Sequence, residues 1–348
     1  MDLSSREGLR STFSWASYPL ICNAPMYGPT NAELATQVTT SGGLGFIGGG
    51  ADFSTSSTDL AQLSSQLTQA RELLGVPKDN ALPIGVSCLT MRSDTWVANF
   101  AELIAQHRPV VVWLFANARR SQHQDLIKAL HAAGEEWGLK VIVQIGNLTS
   151  AQEAVEDGAD MLSVQGSDAG GHQFKDGASL ITLLPDVVDM LEEKFPDRNV
   201  PLLAAGGIMD GRGIAAALAL GANGVVMGTR FLATKESRTS DEKKAQLVLT
   251  EDGASSTAKS RIHDQLQGRD DFWPAQYSGR AIITDAYNAV DSGIQPPNVS
   301  PSIVTWAGAG IGQVRTIPSA ASVVAVSQNQ TRTTIERTWR DMDLGDMS

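Results

Sequence analysis

The feature of this sequence that most constrains its fold is a repeated alternation of short apolar runs with longer helical patterns. A run that is nearly continuous in Val, Ile and Leu is typical of a parallel strand buried on both faces. Eight such runs precede Thr234: Leu20–Asn23, Gly45–Ile47, Ile84–Cys88, Val110–Phe115, Lys140–Ile145, Met161–Gln165, Leu202–Ala205 and Gly224–Met227. Eight strand–helix units predict an α/β fold, a (β/α)₈ TIM barrel, rather than an open doubly wound sheet.

Cap residues and glycines mark where several of the intervening helices begin and end. Asn31 predicts the start of the first helix, and Gly75 predicts the end of the second. Ser150 with Glu153 forms a predicted capping box, and Asp210 is expected to cap the helix that follows it. These signals support the same strand–helix order as the apolar runs.

The alternation stops after Thr234, and the sequence becomes more polar. We interpret residues 235–300 as an inserted smaller domain over the barrel mouth, opening with a helix over Lys235–Thr250. The barrel itself is then expected to comprise residues 1–234 and 301–340. Its last helix is predicted over Pro318–Val326, because Pro and Ser favour a helix start.

Bulk properties exclude several classes of function. The chain has 348 residues and a net charge of −11, which argues against a nucleic-acid-binding surface. Cys22 and Cys88 lie in apolar runs and are expected to be reduced core thiols, and no metal-ligand spacing is present. The sequence has no secretory signal and no apolar run long enough for a membrane span, so a cytoplasmic protein is expected. The oligomeric state is left open.

Glycines dominate two strand ends where barrels commonly bind phosphate, after the seventh and eighth strands. These loops contain Ala205-Gly206-Gly207 and Gly228-Thr229. Glycine lets backbone N–H groups approach phosphate oxygens, and a threonine hydroxyl adds a donor. The loops therefore predict a phosphate site, although glycines here could also serve only the tight strand-to-helix turns.

His172 lies in a glycine-rich loop after the sixth apolar run. A histidine at a barrel strand end can act as a general acid or base near neutral pH. The alternative is a loop histidine with only a structural hydrogen bond. The remaining histidines are expected to be solvated, on helix surfaces or in the insertion: His107, His123, His131 and His263.

Several segments together resemble the nitronate monooxygenases, formerly called 2-nitropropane dioxygenases, which are FMN-dependent β/α barrels. The resemblance runs through nearly the whole chain, and its most specific part is the segment that ends in His172. The matching segments are Ala24-Pro25-Met26, Ser41–Gly45, Val164–His172, Ala204–Ile208, Asp210–Gly213, Ala219–Ala222, Gly228–Leu232, Gly279-Arg280-Ala281 and Ile317–Ala321.

The resemblance implies a set of FMN contacts. The residues concerned are Pro25, Met26, Ser87, Gln144, Gln165, Gly170, Gly171, Ala205, Gly206, Gly207, Gly228 and Thr229. Pro25 and Met26 would lie against the flavin ring. The serine, the two glutamines and Gly170 would bond its polar edge or ribityl chain, and the later glycines with the threonine would hold the phosphate.

The activity implied by the resemblance is oxidation of alkyl nitronates, such as propionate 3-nitronate, by O₂ to a carbonyl compound and nitrite or nitrate. The reaction would proceed by single-electron transfer to the flavin, and its use would be detoxification of nitro compounds. His172 would lie near flavin N5 and orient the nitronate or deprotonate a nitroalkane. The pocket departs from the usual family pattern at Ser87, Asp168, Tyr27 and Trp113.

Two other functions remain open from the sequence. One is an NAD(P)H-dependent FMN reductase of the enoyl-acyl-carrier-protein reductase or quinone reductase type, which shares the barrel and the histidine loop. The other is a flavin-binding protein without catalysis. The IMP dehydrogenase class is disfavoured, because it needs a cysteine in the loop after a barrel strand and the loop after Gln165 has none.

Overall fold

The computed structural model describes residues 9–295 and 303–342. Eight parallel strands form one sheet, and a further three strands form a separate small sheet. In chain order the strands are β1 Leu20–Asn23, β2 Phe46–Ile47, β3 Leu82–Leu89, β4 Pro109–Phe115, β5 Lys140–Ile145, β6 Met161–Gln165, β7 Gly171–Phe174, β8 Leu202–Ala205, β9 Gly224–Met227, β10 Thr257–Ser260 and β11 Tyr277–Ile282.

The large sheet curls into a barrel. Its strand order is β1-β9-β8-β6-β5-β4-β3-β2, and a parallel bridge between Cys22 and Leu44 joins its two ends. Strands β1, β5, β6, β8 and β9 coincide with their predicted ranges, while β3 and β4 begin one or two residues earlier than predicted. The predicted (β/α)₈ TIM barrel is therefore confirmed.

The barrel strands bury both faces, as their continuous apolar character predicts. Leu20, Cys22 and Phe46 belong to the cluster that fills the barrel interior. Ile21 and Ile47, their neighbours along the same strands, pack outward against the surrounding helices. Both cysteines of the chain are buried and free of any disulfide, as expected.

Helices alternate with the barrel strands and continue into the later part of the chain. Their bounds are α1 Ala32–Thr40, α2 Thr58–Leu74, α3 Val97–His107, α4 Arg120–Gly134, α5 Leu148–Glu156, α6 Leu180–Lys194, α7 Gly211–Ala219, α8 Thr229–Leu232, α9 Asp241–Leu249, α10 Gly253–Ser256, α11 Ile262–Leu266, α12 Asp285–Asp291 and α13 Ala320–Asp341.

Most of the predicted caps are confirmed, and one is wrong. The side chains of Asn31 and Asp210 accept backbone N–H bonds at the starts of α1 and α7, and Gly75 closes α2 in the left-handed conformation. Helix α5, however, is capped by Asn147, whose side chain accepts the N–H of Ser150 at 2.8 Å. Asn147 directly precedes Leu148, the first residue of the helix. The helix therefore begins earlier than the pattern of Ser150 and Glu153 predicted.

Two predicted helix ranges need correction. The helix predicted over Lys235–Thr250 begins only at Asp241, where Ser240 caps α9. The last helix starts at its Ser319 cap as predicted, but α13 continues to Asp341. Packing of α13 against α7 and α1 carries it past the predicted end at Val326.

The small sheet lies at the barrel mouth because one of its strands comes from a barrel loop. Its order is β10-β11-β7, all antiparallel, and His172 on β7 pairs with Gly279 on β11. The segment after Thr234 is thus tied to the loop that follows β6. The predicted division into a barrel and a subdomain over residues 235–300 stays a prediction, and its boundary at 300 and 301 lies outside the described residues.

Candidate active site

The carboxyl ends of the barrel strands open into one large cavity of about 860 Å³. Active sites of β/α barrels lie at this face, because loops from every strand converge there. The predicted site residues that line this cavity are Pro25, Met26, Gln144, Gln165, Gly170, Gly171, His172, Ala205, Gly206, Gly207, Gly228 and Thr229. The loops that the sequence singled out therefore do meet in space.

Ser87 is the predicted site residue that does not line this cavity. It lies on β3, and its hydroxyl accepts the N–H of Gly49 at 3.3 Å. The side chain is nearly buried within the loop that follows β2. A direct contact between Ser87 and a ligand in the cavity remains a prediction.

The loop after β8 leaves its backbone open to the cavity. Gly206 and Gly207 adopt φ values of +104° and +73°, which favour glycine. A Cβ at Gly206 would lie 2.8 Å from the carbonyl oxygen of Gly166, so a side chain has no room there. Two consecutive small residues thus present backbone rather than side chains, which suits a bound anion.

The loop after β9 is held by a segment that the sequence did not single out. Residues 307–313, here called the closing segment, include a short 3₁₀ helix over Ala309–Gln313. The N–H of Gly308 donates to the Thr229 hydroxyl at 2.9 Å, and the N–H of Ala309 donates to the Asp168 carbonyl at 2.9 Å. Because Thr229 Oγ1 accepts from Gly308, its hydroxyl hydrogen is directed elsewhere and can serve a ligand.

His172 forms a buried pair with Asp264. Its Nε2 lies 2.8 Å from Asp264 Oδ1, and the two side chains are only 9% and 0% exposed. Asp264 lies on α11, ninety-two residues further along the chain. With Nε2 directed at the carboxylate, the lone pair of the neutral ring is on Nδ1.

Two tryptophans hold the His172 ring. Trp273 stacks on it with ring centroids 3.6 Å apart and planes 12° apart, and Trp306 meets it at 4.6 Å and 54°. Both tryptophans also line the cavity. No residue spacing predicted these contacts, because β7, α11 and the two tryptophans come from distant parts of the chain.

Burial lowers the pKa of His172, and this effect outweighs the hydrogen bond and charge of Asp264, which raise it. The positive charges of Arg261 and Arg269 lower its pKa further. The imidazole is therefore neutral at neutral pH and able to accept a proton. The second oxygen of Asp264, Oδ2, is buried without a hydrogen-bond partner.

A chain of side-chain hydrogen bonds crosses the floor of the cavity. The indole Nε1 of Trp113 donates to Gln144 Oε1 at 3.1 Å. Gln144 Nε2 donates to Gln165 Oε1 at 2.7 Å, and Gln165 Nε2 donates to the carbonyl oxygen of His172 at 3.3 Å. The two predicted glutamines are thus joined to each other, to Trp113 and to the histidine strand.

The mouth of the cavity carries charged side chains of both signs, with more basic than acidic groups. The basic residues that line the cavity are Arg92, Arg238, Lys243 and Arg269, and the acidic ones are Asp52 and Asp59. Asp59 accepts a hydrogen bond from the hydroxyl of Tyr27 at 2.7 Å. An anion entering this mouth meets a favourable local field despite the negative net charge of the chain.

The expectation that the remaining histidines are solvated is wrong for three of them. His107, His123 and His263 are 5%, 6% and 1% exposed. His107 contacts the Ser64 hydroxyl and His263 contacts the Ala258 carbonyl. Burial lowers the pKa of His123 to about 4, so it is a neutral residue of the packed interface around α4. His131 is half-buried and contacts Asp160.

Comparison with known proteins agrees with this architecture. A family model described as nitronate monooxygenase matches residues 11–327. A nitronate monooxygenase of Neurospora crassa is 34% identical, over 94% of this chain and 93% of that protein.

Two solved structures show the same fold. FabK of Thermotoga maritima matches with a TM-score of 0.72 and 20% identity, over 96% of this chain and 98% of that one. A nitroalkane oxidase of Streptomyces ansochromogenes matches with a TM-score of 0.69 and 24% identity, over 94% and 99%. The family match, which covers most of the chain, and the full-length relative decide the assignment: this chain belongs to the nitronate monooxygenase family.

Proposed function

We propose that this protein binds FMN in the cavity at the barrel mouth and oxidises alkyl nitronates with O₂. The observation that carries the proposal is the placement of the buried His172–Asp264 pair in the same cavity as the two glycine loops. Membership of the nitronate monooxygenase family supports nitronate oxidation in general. FMN, the base and the electron-transfer route are the additional parts of the proposal.

The residues of the cavity fit FMN. Gly206 and Gly207 offer a side-chain-free backbone, and Thr229 offers a hydroxyl hydrogen, as a phosphate requires. Gln144 and Gln165 offer amide groups for the polar edge of a flat ring. Pro25 and Met26 supply an apolar surface on the first strand loop. A cavity of about 860 Å³ leaves room for a small substrate beside the cofactor.

FMN, when bound, would supply a redox-active ring able to accept an electron from the nitronate. The chain's own residues bind and orient. Arg92 and Arg269 at the mouth favour entry of the anionic nitronate. Trp273 and Trp306 hold the imidazole of His172 and exclude water from its faces.

His172 has two proposed tasks, which depend on the substrate. Toward a nitronate, the ring orients the nitro oxygens only when Nδ1 is protonated, because the neutral ring has a lone pair on Nδ1 and its Nε2–H is already donated to Asp264. Toward a neutral nitroalkane, Nδ1 takes the proton on the carbon beside the nitro group, and Asp264 stabilises the imidazolium that forms. The buried carboxylate is suited to the second task because it already holds Nε2–H at 2.8 Å.

The decisive experiment is oxygen uptake by the FMN-loaded protein given propionate 3-nitronate in the absence of NAD(P)H. Rapid uptake with formation of nitrite or nitrate is expected. The NAD(P)H-dependent FMN reductase predicts no uptake under these conditions and rapid flavin reduction when NAD(P)H is added. A non-catalytic flavin-binding protein predicts neither.

A further inference from the structure

Trp113 stands at one end of the hydrogen-bond chain on the cavity floor, and its chemistry fixes the direction of every bond in that chain. An indole N–H can only donate, so the atom of Gln144 that faces it must be the oxygen. At the other end, the backbone carbonyl of His172 can only accept, so Gln165 must turn its nitrogen toward it. The Trp113 indole and the His172 carbonyl therefore both require the same orientation of the two glutamine amides.

This direction determines what the two glutamines offer to a ligand. Each amide nitrogen uses one hydrogen within the chain and keeps one more, while each amide oxygen already accepts a bond. A buried donor without a partner is costly, whereas a carbonyl with one of its two lone pairs in use is common. Gln144 is 9% exposed. A ligand that binds at the cavity floor should therefore offer acceptor atoms to the remaining N–H groups of the two glutamines.

We propose that Trp113 is a positioning residue that holds the Gln144 amide so that its remaining N–H donates to an acceptor atom of the flavin ring. This inference rests on the proposed binding of FMN. The ring carbonyl oxygens and nitrogens gain negative charge when the flavin is reduced, so hydrogen bonds to them strengthen on reduction. Trp113 thereby favours the reduced flavin over the oxidised one without contacting the substrate.

The test replaces Trp113 and measures the midpoint potential of the FMN-loaded protein against a reference dye. Trp113→Phe keeps an aromatic ring beside Phe46, which Trp113 meets edge-on at 5.5 Å, but removes the N–H. Gln144 Nε2 still donates to Gln165 Oε1, which the His172 carbonyl keeps in place, but Gln144 Oε1 loses its donor, so the amide is held on one side only and its second N–H is no longer fixed toward the cavity. The ratio of reduced to oxidised FMN at a fixed dye potential should fall about tenfold, or about 30 mV for a two-electron couple.

Two further variants keep the test informative if the smaller ring disturbs the core. Trp113→His restores an N–H donor on an aromatic ring and should recover most of the lost potential. Gln144→Glu keeps the acceptor that faces Trp113 but removes the donor and adds a negative charge, so it should lower the potential further than Trp113→Phe does.

The outcomes separate this inference from the proposed function. Wild-type protein that binds no FMN overturns both. Wild-type protein that binds FMN, with Trp113→Phe at an unchanged potential, overturns the role of Trp113 alone. Weaker FMN binding that is equal for the two redox forms also overturns it, because a merely structural role predicts that result.

Discussion

The two ends of the cavity are built on different principles. The proposed phosphate end consists of backbone: Gly206 and Gly207 after one barrel strand, and Gly228 with Thr229 after the next. The histidine end consists of side chains, with His172 held by Asp264 and two tryptophans from the later part of the chain. The glycine turns of the phosphate end are local and depend on one distant bond, from Gly308 to Thr229, whereas the histidine end needs three distant segments to pack together.

The two ends of the cavity also differ in whether they contain titratable groups. A backbone cradle has no titratable group of its own, so the pH dependence of phosphate binding is expected to follow the second ionisation of the phosphate, at about pH 6. The histidine end contains the buried His172–Asp264 pair, and the pKa of His172 depends on burial, on Asp264 and on the charges of Arg261 and Arg269. Substitutions at the two ends should therefore affect different measurements.

The largest effect is expected from Gly207→Asp. The residue has φ +73°, and a Cβ there would lie 3.2 Å from the Cβ of Asp168. A carboxylate at this position would add a negative charge to the proposed phosphate loop, beside Asp168, and a like-charge contact with the phosphate costs several kcal/mol, or more than ~100-fold in affinity. The protein should purify without FMN, as measured by the flavin absorbance of the purified sample.

Gly75→Asp is the matched control for Gly207→Asp. Gly75 also has a positive φ, +62°, but nothing lies within 4 Å of its added Cβ. It closes α2 away from the cavity, so the variant carries the same backbone strain without the charge contact. Equal loss of FMN in both variants would show that backbone strain causes the loss, and it would contradict the proposed phosphate site.

His172→Ala should keep FMN and lose turnover. General base catalysis contributes ~10² to 10⁴-fold, so at least ~100-fold is expected with a neutral nitroalkane as substrate. The loss with the corresponding nitronate should be smaller, because that substrate needs no deprotonation. The measurement is steady-state oxygen uptake with both substrates, with His131→Ala as a control at a histidine outside the cavity lining. An equal loss with both substrates would exclude a role as base.

Asp264→Asn tests whether the buried partner sets the proton affinity of His172. The carboxylate raises the pKa of the ring, so its removal should lower that pKa further. The base is active when neutral, and the rise of kcat/KM with pH for a nitroalkane should therefore move to lower pH. A hydrogen bond to a charged group is worth about 1.5–3 kcal/mol, so a loss of ~10- to 100-fold at the plateau is expected. An unshifted pH profile would contradict the pairing.

Tyr27→Phe should have the smallest effect. Tyr27 is 50% exposed at the mouth, and its hydroxyl donates to Asp59. Burial and this hydrogen bond raise the pKa of the hydroxyl to about 12, so it is neutral throughout the working range. A hydrogen bond at an exposed site contributes about 1 kcal/mol or less, and KM should change less than ~5-fold. A larger change in KM would indicate that the Tyr27 hydroxyl contacts the substrate at the cavity mouth.

The barrel was predictable from the sequence because its signals are local. Five of the eight predicted barrel strands, such as Lys140–Ile145, match their observed bounds, and the glycine loops follow the strands directly. The predicted capping box at Ser150 failed for an equally local reason, since Asn147 is the better placed cap.

The histidine end was predictable only in part. The glycine-rich loop identified His172, but its partner Asp264 lies on a short helix in a polar stretch with no periodic pattern. Burial is likewise a tertiary property: His123 lies on the inner side of α4, and no pattern of charges around it predicted that it would be buried.

The closing segment also has a consequence for the order of biosynthesis. The barrel strands are complete once residue 227 has been made, but Gly308, which donates to Thr229, leaves the ribosome some eighty residues later. The barrel sheet can therefore assemble on the nascent chain while the floor of the phosphate loop is still missing. The proposed FMN site would therefore be complete only after residue 308 has emerged from the ribosome.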